Sequence, residues 1–146
     1  MPSWRDGASP QAQHDLDELL NTALGFAQHQ LASRGEFYPY AAAIRVDGQA
    51  EMIAARPDTG GEHPAAADVV ASCVAELTSR RHALRAASIT TDVRLSELGG
   101  EAIEVSLEHA EGQALRVQLP YTRQPAGISY GPIRASAGDR RLWSHS

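Results

Sequence analysis

Apolar residues recur at the spacing of one helical face in two stretches of the chain. In the first stretch, Ser9 and Pro10 provide a capping hydroxyl and a proline at the first helical position, and Gly35 marks the end. The second stretch begins at Pro64, and its apolar stripe extends as far as Leu84. The pattern therefore predicts two amphipathic helices.

Between these helices the apolar period changes to two, which is typical of a half-buried strand. Residues 40–54 alternate in this way around the turn signal Asp47-Gly48. A loop of three residues ending at Gly48 makes Ile44 face Ala50 across the two strands. The segment is predicted to be a β-hairpin.

Further strands follow the second helix. The first begins at Ser88, and the next two flank a loop over residues 110–112 that pairs Leu107 with Leu115. A short strand is predicted over residues 128–133, where Gly131 and Pro132 limit its length. We therefore expect three late strands and a fourth short one.

This order of elements predicts one α+β domain over residues 9–138, between flexible segments at 1–8 and 139–146. A single antiparallel sheet of about five or six strands would carry the two amphipathic helices packed on one face. The order resembles that of the roadblock-like and profilin-like folds. That resemblance implies nothing specific about activity, but it permits the homodimer that is common in roadblock-type modules.

A second resemblance rests on short sequence segments. They are Gly-Glu-Phe-Tyr-Pro-Tyr at 35–40, Asp-Gly at 47–48, Ser-Leu-Glu-His at 106–109, Leu-Pro-Tyr at 119–121 and Tyr-Gly at 130–131. Their spacing is similar to that in a group of small uncharacterised bacterial proteins, over roughly residues 14–135. The resemblance implies a bacterial origin and the same fold, and it transfers no site residue.

Composition narrows the classes of function. The 146 residues include thirteen arginines and no lysine, which suggests a GC-rich bacterial genome and excludes a lysine Schiff base. A net charge of −5 argues against binding to nucleic acid or to an anionic membrane. The chain has no apolar run of about 20 residues and no basic-then-apolar leader. We therefore expect a cytoplasmic protein.

Candidate chemistry is sparse. The only cysteine, Cys73, lies on the apolar stripe of the second helix and is expected to pack as a small hydrophobe. His109 falls in the apolar register of its strand, where a buried, hydrogen-bonded histidine is more common than a metal ligand. No histidine and carboxylate spacing matches a metal site, and no glycine loop matches a phosphate cradle. We expect no metal and no cofactor.

The sequence analysis favours a non-catalytic protein-interaction module, such as an immunity-type inhibitor or a regulatory adaptor. The predicted interface is the outward, charged face of the late strands, which would attract a basic protein partner. Its residues are Asp92, Arg94, Glu104, Glu108 and Arg116.

The alternative is a small-molecule-binding or hydrolytic protein. Its pocket would combine strand-end tyrosines with the loop that precedes the second helix, where His63 before Pro64 could bind an anion at the helix start. The candidate pocket residues are Tyr38, Tyr40, Asp58, Glu62 and His63. The four tyrosines, which include Tyr121 and Tyr130, either frame a groove or close the edge of the core.

Overall fold

Two helices and seven strands make up the structure, a computed structural model that describes residues 7–53, 66–95 and 100–143. The elements are α1 (Pro10–Arg34), β1 (Tyr40–Arg45), β2 (Ala50–Ile53), α2 (Ala66–Arg80), a 3-10 turn (Arg81–Ala83), β3 (Leu84–Leu95), β4 (Gly100–His109), β5 (Ala114–Gln124), β6 (Gly127–Tyr130) and β7 (Arg134–Ala137). The strands form one antiparallel sheet in the order β2-β1-β3-β4-β5-β6, and β7 pairs with another part of β5. The predicted α+β class is confirmed.

Helix α1 begins and ends at the predicted residues because both of its ends are capped. The Ser9 hydroxyl accepts a hydrogen bond from the backbone N–H of Ala12 at 3.1 Å, and Pro10 occupies the first turn. At the other end, Gly35 has a φ of 76°, and its N–H donates to the carbonyl of Leu31 at 2.9 Å. This left-handed conformation is available to glycine at little steric cost.

The two predicted hairpin registers are also confirmed. Ile44 pairs with Ala50, and Leu107 pairs with Leu115. Gly48 and Gly112 occupy the third positions of the two loops with φ angles of 93° and 120°. In each hairpin the turn chemistry and the apolar alternation select the same pairing.

The prediction that both helices pack on one face of the sheet is wrong. Ala42 and Ile44 of β1 pack in the core beneath α1, whereas Ala41 and Ala43 pack in a separate core beneath α2. Since successive strand residues point to opposite faces, α1 and α2 cover opposite faces. Strand β1 is consequently buried on both sides, and its small alanine side chains carry little signal about which helix lies on which side.

Three element boundaries also differ from the sequence analysis. Helix α2 ends at Arg80, and Leu84 begins β3 rather than ending the helix, so the strand starts before Ser88. Leu84 still joins the same buried cluster as Leu77, which explains why it fits the helical stripe. The short strand predicted at 128–133 is replaced by β6 and β7, which both pair with β5.

The predicted C-terminal tail is attached to the domain as far as the structure describes it. Leu142 is buried in the core beneath α2, and Trp143 is half-buried beside it. The chain reaches this position through Gly138, whose N–H donates to the carbonyl of Ala114 at 3.0 Å. Residues 144–146 lie outside the described part of the chain, as do residues 1–6 of the predicted N-terminal segment.

We expect Gly138→Ala and Gly25→Ala to change stability in opposite directions. A Cβ at Gly138 would lie 2.7–2.9 Å from backbone atoms of Leu115, so the substitution should cost about 1–3 kcal/mol through overpacking. A Cβ at Gly25 meets nothing within 4 Å, and alanine in a helix interior should stabilise by about 0.5–1 kcal/mol. Urea unfolding measures the free energy of unfolding of both variants. A destabilised Gly25→Ala together with an unchanged Gly138→Ala would contradict this prediction.

Candidate functional site

A β-bulge in β3 brings a buried charged cluster together under α1. Ile44 pairs with Ala86 and Arg45 pairs with Leu84, so Arg85 is an extra residue in β3 that has no partner on β1. A bulge of this kind redirects side chains and lets Arg85 point towards α1 together with Ala86.

Asp15 of α1 is the centre of this cluster. Its fully buried carboxylate accepts hydrogen bonds from Nε and Nη2 of Arg85 at 2.9 and 3.0 Å, a two-point pairing that fixes the guanidinium plane. The same carboxylate lies 2.9 Å from Nε2 of His109. The cluster therefore joins α1, β3 and the end of β4.

The hydrogen bonds of His109 decide what this cluster can do chemically. Its Nδ1 accepts the backbone N–H of Glu111 at 3.1 Å, so Nε2 carries the hydrogen that is donated to Asp15. Asp–His pairs occur in catalytic sites, but a catalytic base needs one nitrogen directed at substrate. Here both nitrogens serve the fold, as expected for a buried, hydrogen-bonded histidine. The cluster stabilises the structure.

Sequence reasoning did not identify Asp15 or Arg85 as partners of His109. They lie 94 and 24 residues from it along the chain, so no local spacing connects them. One signal was present, because Asp15 interrupts the apolar stripe formed by Ala12 and Leu19. A charged residue on a buried stripe requires a partner in the core.

The predicted charged face does not exist as one surface. Asp92 pairs with Ile103, which belongs to the core beneath α1, so Asp92 and Arg94 point to the α1 side of the sheet. Glu104 pairs with Thr91 and points to the opposite side, which it shares with Arg116. The prediction that these residues share a face is wrong, because each face of β3 contributes to a different core.

Glu108 differs most from its predicted position, since it is buried rather than exposed to a partner. Its carboxylate accepts hydrogen bonds from the backbone of the C-terminal segment. The remaining outward charges compensate one another, because Arg116 lies 3.8 Å from both Glu104 and Asp139. One guanidinium therefore lies between two carboxylates, so this face presents mixed charges rather than a purely acidic surface.

The tyrosines gather at the end of the sheet where β1 begins and β5 ends, which we call the tyrosine end. Tyr40 is buried, and its hydroxyl donates to the carbonyl of Ala23. Burial raises the pKa of Tyr40 to about 12. The rings of Phe26 and Phe37 stand edge-on to it, with centroids 4.7 and 6.0 Å away. Tyr40 is thus a core residue.

Tyr121 of β5 also lies at the tyrosine end. Its hydroxyl donates to Asp92 at 2.7 Å, and burial together with this hydrogen bond raises the pKa of Tyr121. Desolvation also raises the pKa of Asp92. The guanidinium of Arg123 lies 5.7 Å from the Tyr121 ring centroid, and the Tyr130 ring lies 6.3 Å away. Tyr130 is placed beside Tyr121 by the pairing of β5 with β6.

The alternative pocket retains only part of its predicted residues. Tyr38 is exposed at the tyrosine end, whereas Tyr40 belongs to the core. Asp58, Glu62 and His63 lie outside the described residues.

Comparisons with known proteins gave no match to a family model, to a curated protein or to a solved structure. In the part of the chain that the structure describes, no three histidine, cysteine or acidic side chains group together as a metal site would require. None of the described helices is long and apolar enough to cross a membrane. Among the described residues, the exposed large aromatic side chains are those of Phe26, Tyr38 and Tyr130.

Proposed function

We propose that the chain is a non-catalytic protein-interaction module that binds its partner through the tyrosine end. The observation that carries this proposal is the exposure of three large aromatic side chains. Tyr38, Phe26 and Tyr130 leave 47%, 39% and 36% of their surfaces exposed. Tyrosine is enriched among the residues that dominate the binding energy of protein interfaces.

The backbone that carries Tyr38 and Tyr130 is held by neighbouring core contacts and by strand pairing. Tyr38 lies between Phe37, which packs against Tyr40, and the buried Pro39. Tyr130 is paired with Tyr121 in the sheet. A backbone that is already ordered loses little entropy on binding, so more of the contact energy of its side chains contributes to affinity.

Substituting Tyr38→Ser and Tyr130→Ser together should lower partner affinity at least about tenfold, because truncation of an interface anchor typically costs 1–2 kcal/mol or more. Wild-type protein on beads first isolates a partner from the native host. That partner is then purified and titrated against wild type and the double variant by biolayer interferometry. Sedimentation velocity tests whether the partner is a second copy of this chain. In that case the wild type sediments as a dimer and the double variant as a monomer.

The matched control is Glu104→Gln with Arg116→Gln on the outward face of β4 and β5. These residues lie on the side of the sheet away from α1, so the control should bind the partner with wild-type affinity. An unchanged affinity of the tyrosine variant, or a loss that is equal in the control, would refute the proposed interface.

A further inference from the structure

The C-terminal segment Asp139–Trp143, which we call the strap, is bound to β4 through one carboxylate. Glu108 accepts the N–H of Arg141 at 2.8 Å and that of Trp143 at 2.7 Å. The N–H of Leu142 lies between them, 3.1 and 3.0 Å from the two carboxylate oxygens. Three successive backbone donors thus surround one buried anion, an arrangement that peptide backbones use to bind anionic groups.

These contacts depend on the main chain of the strap rather than on its side chains. Among the described residues, no arginine or histidine forms an ion pair with Glu108, so its charge is compensated by the strap amides. Any segment that adopts the same bend and presents three successive N–H groups offers the same donors. Recognition through backbone hydrogen bonds with a pocket for one side chain is a recurrent mode of peptide binding.

Leu142 has the most deeply buried side chain in the strap. It is buried with Leu77 of α2 and with Ala87 and Ile89 of β3. Beside Leu142 these residues line a cavity of about 20 Å³, which accommodates about one water molecule. The groove therefore leaves a space of about one water molecule beside Leu142.

Trp143 also packs half-buried against the cluster that contains Leu142, whereas the polar side-chain contacts of the strap beyond Glu108 are weak. Asp139 leaves 78% of its side chain exposed and meets Arg116 only at 3.8 Å, a type of pair that contributes little. Strand β7, from which the strap departs, consists of four exposed residues. If the strap leaves, water can reach Glu108 and offset the loss of its three donors.

We propose that the groove under the strap, formed by Glu108, Leu77, Ala87 and Ile89, is a peptide-binding site that the strap occupies in the free protein. Its ligand is a segment of a partner protein that bends as the strap does at Leu142 and Trp143, and that presents three successive backbone N–H groups and a leucine-sized side chain. This site is distinct from the tyrosine end and does not rest on the proposed function. The contacts that the strap makes in the groove define the chemistry of this ligand.

The strap belongs to the same chain as the groove, so it competes with any partner segment for this site. A short tether gives the strap an effective concentration on the order of millimolar, so a free peptide competes poorly with it in the wild type. A substitution that detaches the strap should therefore reveal the site. Leu142→Asp does this, because it replaces the apolar anchor with a charge that the groove cannot solvate.

The test uses a fluorescent, amidated peptide with the sequence of residues 138–143 and full-length protein in an anisotropy titration. We expect Leu142→Asp to bind the peptide at least about tenfold more tightly than wild type. Adding Glu108→Gln should weaken that binding about tenfold or more, since hydrogen bonds to a charged acceptor are lost. A control peptide with aspartate in place of its leucine should not bind.

Circular dichroism and thermal melting establish that each variant is folded. If Leu142→Asp does not melt cooperatively, Leu142→Ala takes its place with the same expectations. Absence of saturable binding to a folded strap variant, or binding that is indifferent to Glu108→Gln, overturns the proposal. Neither outcome affects the tyrosine end, so this proposal and the proposed function fail separately.

Discussion

Val105→Asp should unfold the domain, whereas Glu104→Ala should leave it folded. Val105 is fully buried in the core between the sheet and α1, where it pairs across strands with Val117. An aspartate there would place a carboxylate among aliphatic side chains with no partner, at a cost of several kcal/mol. Because domains of this size are stable by only about 5–15 kcal/mol, most of the stability is lost.

Glu104 is the matched control because it is adjacent to Val105 and points to the opposite face. Its carboxylate accepts a hydrogen bond from Gln118 at 2.8 Å and lies 3.8 Å from Arg116. Loss of such half-exposed contacts should change stability by less than about 1 kcal/mol. Melting followed by circular dichroism compares the two variants, and similar midpoints would show that the register of β4 is wrong.

Asp15→Ala is expected to destabilise the protein by about 3–5 kcal/mol, the usual effect of removing one partner from a buried ion pair. The substitution leaves the Nε2–H of His109 without its acceptor in a buried position. It also deprives Arg85 of both of its hydrogen bonds. Chemical denaturation at neutral pH measures the loss.

Two comparisons make this result specific. Glu18→Ala on the exposed side of α1 removes an acid from the same helix and should change stability by less than about 0.5 kcal/mol. Arg85→Gln should cost at least as much as Asp15→Ala, because it leaves the fully buried Asp15 carboxylate without its cation, whereas 23% of the Arg85 side chain stays exposed to water when Asp15 is removed. Equal effects of Asp15→Ala and Glu18→Ala would contradict the assignment of Asp15 as the centre of the cluster.

The candidate sites followed from the sequence only in part. The tyrosines were recognised as strand-end residues, but the pattern did not distinguish Tyr40, which is buried, from Tyr38, which is exposed. Glu108 alternates with Leu107 like any solvent-facing residue, so its role under the strap could not be read from the strand. Both outcomes depend on segments that are distant in the chain, namely α1 above Tyr40 and the strap above Glu108.

The sequence by itself determined the local structure of this protein. Ser9 and Gly35 define the limits of α1, and Gly48 and Gly112 define the hairpin registers, because capping and turn conformations act over a few residues. Apolar alternation also determined the α+β class, since a strand period of two and a helix period of 3.6 differ clearly.

The tertiary structure decided which face of the sheet each helix covers and which charges meet. Ala41 and Ala42 are equally small, so only packing against α1 and α2 gives the two faces of β1 different environments. Asp15 pairs with Arg85 because a bulge in β3 turns Arg85 towards α1. Such a bulge arises from the pairing between strands. Such choices are set by the sum of many contacts between distant segments, and periodicity within one segment does not contain them.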